Sequence, residues 1–280
     1  MHLLTILTVV MVAVIIRRRH QSFSGEGWSK RWYRTLFLFC FPVLLLLTTA
    51  VAVLYMGCQG QMLGIQAGSI GCIISGCLIL FASVCLLKLA YQGDRSIRQL
   101  SKYPQQTIGK TTARILDIDL PYSAQLGFWQ SKLVISKGLL AALDEEHLAA
   151  VIAHEQAHVT YRDTFWFFWL GWIRSFSFWL PNTEVLWREL LLLRELRADC
   201  KAAESVDFLL LAESLFAVTK APLKSSVGCA SLNDASIGDR LNERIDSLLS
   251  QTESIPVNQW HHWSWLGLLF LPFLTIPLHY

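Results

Sequence analysis

The residues of this chain best suited to chemistry are His154-Glu155-Gln156-Ala157-His158, an HExxH pentapeptide within the stretch 148–159. A helix turns about 100° per residue, so side chains four apart lie about 40° apart on its surface and both imidazoles can reach one metal ion. Glu155 is offset by roughly a quarter turn, which leaves it free to hold a water as general base. Asp144 is a suitable N-cap for this helix, and Glu145 and Glu146 fall in its first turn, where the helix dipole favours negative charge. Leu148, Val151, Ile152 and Val159 mark the buried side. His147 lies two turns, about 10 Å, from His154, and is expected at the surface or behind the site.

A zinc hydrolase typically takes three protein ligands and leaves the fourth position to water. Downstream, Leu191 to Cys200 contains Glu195-Leu196-Arg197-Ala198-Asp199, in which Glu195 and Asp199 share one helical face. Two readings are open. Glu195 could close the metal site while Asp199, one turn on, accepts a hydrogen bond from the outer nitrogen of a ligand histidine. Alternatively Arg194, Glu195, Arg197 and Asp199 form an exposed salt-bridged face. The upstream HExxH favours the first.

These motifs, with the lead-in 130–140 and Asp144-Glu145-Glu146-His147-Leu148, resemble the membrane-bound gluzincin metallopeptidases. Two branches are similar: the HtpX and CAAX prenyl protease type, and the beta-lactam sensor-transducer type, whose zinc domain sits between transmembrane helices. The resemblance covers roughly residues 105–250 and implies one Zn²⁺ per chain, held by His154, His158 and Glu195. The Arg-Ile pair at Arg244 resembles a late family segment with a basic residue near the cleft. Arg244 is therefore either an oxyanion or substrate contact or a salt-bridging helix arginine. The His-Pro dipeptide of prenyl-protease relatives is missing ahead of it, so the sensor-transducer branch is the nearer one. That branch's extracellular ligand-binding domain has no counterpart here, and beta-lactam sensing is not expected.

Composition places the chain in a membrane. Apolar residues make up 53%, mean hydropathy is +0.41, and 16% of residues are charged, against about 25% in ordinary soluble domains. A net charge of +3 is too small to suggest nucleic acid as a partner. Three spans are expected within 1–103, at about 1–16, 35–56 and 68–91. The first ends in Arg17-Arg18-Arg19, the reverse of a secretory signal. Arginine and lysine crowd the segment 17–34, are absent from the turn 57–66, and return at Arg95, Arg98 and Lys102, which puts the first loop and everything after Tyr91 in the cytoplasm. A polar connector, Gln92 to Lys110, leads into the zinc domain at 104–255. Trp260 to Tyr280 reads as a last span, in a terminal segment of 256–280, behind a tryptophan belt.

Within the zinc domain, Thr112 to Leu120 and Lys132 to Ser136 read as strands, and Gly138 opens a helical stretch. Either strand is plain scaffold or an edge that pairs with an extended substrate. The aromatic stretch 164–181 is too short for two spans and fits a hairpin dipping into the cytoplasmic leaflet, or packing on the membrane bundle. Cys200 to Thr219 reads as a continuation of the Glu195 helix, and 231–249 as a further helix. Cys200 points about 140° away from Glu195 and is a packing residue; with Cys229 it faces a reducing cytoplasm, so no disulfide framework follows.

The expected fold is mainly α: a polytopic helical membrane protein with a cytoplasmic α+β zincin-like metallopeptidase domain. The expected function is zinc-dependent endopeptidase action on a cytoplasmic or juxtamembrane protein, in regulatory proteolysis or signalling. Glu155 takes the water's proton and returns it to the leaving amine. The other reading is a non-catalytic, zinc-stabilised membrane signal transducer or scaffold; a retained base argues against it. A large prenyl-peptide chamber is disfavoured, since four spans and a short insert cannot enclose one. Expected partners are a protein or peptide substrate and the lipid bilayer, with self-cleavage and homo-oligomers left open. The expected location is the inner (cytoplasmic) membrane, multi-pass, with the site on the cytoplasmic side.

Overall fold

The computed structural model describes residues 1–19, 27–62, 65–66, 68–109, 111–220, 234–250 and 260–279. Residues 20–26 of the basic segment, 63–64 of the turn, Lys110, Cys229, the start of the 231–249 segment and 251–259 lie outside the described residues. The chain is mainly helical and divides into two compact units, one of residues 1–90, 169–191 and 256–280, the other of 91–168 and 192–255.

The first unit contains α1 (His2–Arg18), α2 (Trp28–Met56), the two-stranded hairpin β1 (Gln61–Met62) and β2 (Ile65–Gln66), and most of α3 (Ser69–Leu100). By length and composition, α2 and α3 are apolar enough to cross a membrane. The third expected span stops too early: the helix runs on from Tyr91 to Leu100, so the first part of the expected polar connector is helical. An Asp94–Arg98 pair at 2.8 Å supports this extra length, and Pro104 follows its end. The C-terminal segment Trp260–Leu278 is a 3-10 helix, with Pro272 and Pro277 inside it denying backbone donors to a regular α ladder. Arg17 is fully buried; its guanidinium donates to the Phe39 carbonyl at 3.0 Å and to Thr183 Oγ1 at 3.3 Å.

The expected hairpin at 164–181 is instead one helix, α6 (Asp163–Phe176), followed by a turn that leads into α7 (Thr183–Ala202). Asn182 makes that turn with a positive φ of 59°.

The second unit is built on a sheet of order β3-β4-β6-β5, formed by β3 (Gln105–Ile108), β4 (Thr111–Leu116), β5 (Ser123–Leu126) and β6 (Lys132–Ser136). β4 and β6 are parallel, with Ala113 opposite Leu133; the other two pairings are antiparallel. Both expected strands are thus interior, and the edges of the sheet are β3 and β5. α4 (Lys137–Ala142) follows β6, and α5 (Glu145–Thr160) is the motif helix, capped by Asp144, whose Oδ1 accepts from His147 N at 2.9 Å. Ala113, Ile115, Leu133, Ile135 and Leu139 bury against Val151 of α5, which lays this helix across the sheet.

The Glu195 helix does not continue to Thr219. α7 ends at Ala202, and Asp207 Oδ1 then accepts from Leu209 N and Leu210 N to start α8 (Phe208–Lys220). Side-chain capping at Asp207 starts a new helix at the polar stretch that contains Lys201, Glu204, Ser205 and Asp207. Ala150, Ala202, Leu211, Ala212 and Leu248 form a second core, which joins α5 and α8 to α9 (Asp234–Ser250).

Gly138 is required by space. A Cβ there would lie 2.0 Å from the Asp119 carbonyl oxygen, in a crossing where Gly138 N donates to Ile118 O at 3.0 Å. Gly138→Ala is therefore expected to destabilise the second unit by about 1–3 kcal/mol, read as a lower thermal midpoint by circular dichroism. An unchanged midpoint would show that the crossing relaxes freely.

Candidate metal centre

α5 presents His154 and His158 one turn apart, both buried, and α7 brings Glu195 to them. His154 Nε2 lies 3.1 Å from His158 Nε2 and 3.3 Å from Glu195 Oε2, and His158 Nε2 lies 3.8 Å from the same oxygen. These three ligand atoms could hold a metal ion. The outer face of each ring meets a carboxylate: His158 Nδ1 is 2.7 Å from Asp163 Oδ2, and His154 Nδ1 is 2.7 Å from Asp199 Oδ1. The second approach is short but lies off the N–H direction, so it works more through charge than through a full hydrogen bond.

Whether a metal fits follows from the protons. A carboxylate beside each Nδ1 places the ring hydrogen there and leaves each Nε2 as a bare acceptor. Two imidazole nitrogens and a carboxylate oxygen then face one another, an arrangement that calls for a cation among them, either a proton on His154 or a metal ion. Two nitrogens and one oxygen are donors that zinc accepts, and tetrahedral zinc with bonds of about 2.0–2.1 Å needs ligand atoms about 3.3 Å apart. The observed spacings bracket that value.

The electrostatics demand positive charge at the same point. Burial pulls the His154 imidazole down, but the carboxylates of Asp199 and Glu195 outweigh it and lift the group to about 9. Burial raises Glu195, yet the His154 contact and the guanidiniums of Arg194 and Arg244 hold it well below the usual carboxylate range. Asp199, pushed up by burial, is likewise carried below it by Arg244 and His154.

The carboxylates are fixed by arginines. Arg194 donates to Glu195 Oε1 from Nε and Nη2, at 2.9 and 2.7 Å, which turns Oε2 towards the histidines. Arg244, on α9, forks onto Asp199 at 2.6 and 2.8 Å, and its Nη1 stands 3.5 Å from Glu195 Oε2. Arg244 is thus committed chiefly to the carboxylates. Arg197 donates to Asp163 Oδ1 and lies over the Tyr161 ring, 4.2 Å from its centroid. The ELRAD residues are therefore an inward network, not an exposed salt-bridged face.

Glu155 is buried beside the histidines, and its Oε1 accepts from Ser123 Oγ of β5 at 2.7 Å. His147 stays away, bonded to Asp144 at 2.7 Å and 3.5 Å from Glu213. Cys200 is not among the converging ligand atoms.

Sequence reasoning missed Asp163 and Ser123. Asp163 is readable in hindsight as an acid at a helix start, five residues after the second histidine. Arg162, with a φ of 52°, turns the chain so that this acid returns beneath His158. Ser123 gave no signal, because its role exists only once β5 lies beside α5. Asp163→Asn is expected to weaken Zn²⁺ binding to the purified full chain about 10–100-fold, measured by chelator competition. Equal affinity would mean that the His158 ring needs no such orientation.

Comparison with known proteins agrees with this geometry. Residues 104–220 match the family model of Peptidase family M48. No curated protein and no solved structure matches the chain. The matched residues include the sheet, the HExxH helix and Glu195, and over that stretch the chain is similar to the M48 metallopeptidases.

Proposed function

We propose that this chain is a membrane-embedded, zinc-dependent endopeptidase that cleaves a cytoplasmic or juxtamembrane protein segment. One ion is held by His154, His158 and Glu195. The observation that carries the reading is the convergence of His154 Nε2, His158 Nε2 and Glu195 Oε2, beside a buried Glu155 that belongs to no ligand set. The M48 match over 104–220 supports the protease class. The length and apolar composition of α2 and α3 support the membrane, and the basic segment 17–34 supports a cytoplasmic site in a multi-pass inner-membrane protein.

Zinc in such a site supplies Lewis acidity. The chain does the rest. Ser123 occupies Glu155 Oε1 and so leaves Oε2 as the oxygen that takes a proton from the attacking water and delivers it to the leaving amine. Asp163 and Asp199 hold the imidazole hydrogens on Nδ1. Arg194 and Arg244 keep Glu195 and Asp199 ionised and in place. Arg244 acts here as a positioning residue.

The test compares wild type and Glu155→Gln as full chains in lipid nanodiscs, following bound zinc by mass spectrometry and cleavage of a peptide library. The expected outcome is equal zinc content and a loss of cleavage of about 10²–10⁴-fold. Equal cleavage by both, or none by wild type, would leave a zinc-stabilised transducer or scaffold instead. Comparing the proteomes of cells carrying each form then identifies the substrate, including the chain itself.

A further inference from the structure

Cys58 and Cys72 meet in the first unit, where α2 gives way to α3. Gly57 follows the end of α2, and its φ of 85° turns the chain out of the helix. The β1–β2 hairpin, with Gln61 opposite Gln66, then folds the chain back towards Ser69. His2, fully buried, fixes both flanks of this turn. Its Nε2 donates to the Gly57 carbonyl at 3.0 Å, and its Cβ occupies the place that a side chain on Gly71 would need. Gly57 and Gly71 are the residues just before the two cysteines. The two thiols accordingly interact directly, Cys58 exposed and Cys72 buried.

What two adjoining thiols become is decided by the compartment. The turn 57–66 contains no Lys or Arg, while the segment 17–34, between the opposite ends of α1 and α2, is rich in both. That asymmetry turns the cysteine pair away from the cytoplasm, towards an oxidising space. The other described cysteines are placed differently: Cys40 is buried within α2, Cys77 and Cys85 lie further along α3, and Cys200 belongs to the unit of the metal centre.

We propose that Cys58 and Cys72 form a disulfide that ties the end of α2 to the start of α3 outside the cytoplasm. Exposed Cys58 attacks the disulfide of a dithiol–disulfide oxidant, and Cys72 then displaces that oxidant from the mixed disulfide. One S–S bond forms as another breaks, and the oxidant leaves as a dithiol with both electrons and both thiol protons. Because the hairpin already brings the two ends together, the bond acts mainly by restraining the unfolded turn. It rests on the membrane orientation given under the proposed function and is independent of peptidase activity.

The test uses cells that carry the full chain. They are quenched in acid, free thiols are blocked with N-ethylmaleimide in SDS, and thiols released by later reduction are tagged with a polyethylene-glycol maleimide. Wild type is expected to gain two tags, and Cys58→Ser and Cys72→Ser none. Wild type without tags, or tags that survive in either variant, overturns the bond. A second arm separates the bond from the orientation: a membrane-impermeant maleimide added to reduced spheroplasts labels Cys58 when the turn faces outward. Labelling from outside with no disulfide in unreduced cells sinks the bond and keeps the orientation. A disulfide whose reduced Cys58 stays unreachable overturns its placement outside the cytoplasm, and neither labelling nor disulfide sinks both.

Discussion

The rest of the second unit's core site depends on the crowding of three ligand atoms. His154 Nε2, His158 Nε2 and Glu195 Oε2 crowd into one small volume, 3.1 to 3.8 Å apart. Without a cation among them these lone pairs repel, and left alone the rings would rotate or His154 would take a proton. They are held because Asp163 and Asp199 anchor their outer nitrogens, and those acids are held by Arg197 and Arg244. Buried carboxylates are costly without such partners, so the outer layer of ion pairs is a condition of the inner one.

Charge explains why a cation completes the arrangement. With neutral imidazoles, the carboxylates of Glu155, Asp163, Glu195 and Asp199 outnumber the guanidiniums of Arg194, Arg197 and Arg244 by one. Burial disfavours a charged His154, but the carboxylates of Asp199 and Glu195 outweigh it and lift the imidazole to about 9. A divalent ion answers the same excess at the point where the lone pairs meet, and competes with the His154 proton.

What could be read from the sequence divides by range. The HExxH helix, its Asp144 cap, β6 and the pairing of Glu195 with Asp199 are local facts of spacing, and each appears where periodicity puts it. β5 was invisible because Ser-Ala-Gln-Leu, though it alternates, is only four residues long and has no β-branched or aromatic side chain; pairing with β6 makes it a strand. The break between α7 and α8 was hidden because Lys201, Glu204 and Ser205 also suit the solvent face of one continuous helix, and only the capping role of Asp207 divides it. Asp163, Ser123 and the carboxylate fork of Arg244 are contacts across 5, 32 and 45 residues, and composition does not encode such partners.

Arg194, Glu195, Arg197 and Asp199 occupy barely more than one turn of α7, yet between them they supply the acidic donor atom, the clamp on it, the partner of Asp163 and the partner of His154. A slip of this helix by a single residue would swing all four away by about 100° at once. These four contributions therefore depend together on the seating of α7. The centre forms or fails as a unit when α7 seats, and any influence that shifts that helix acts on the whole centre as a single latch.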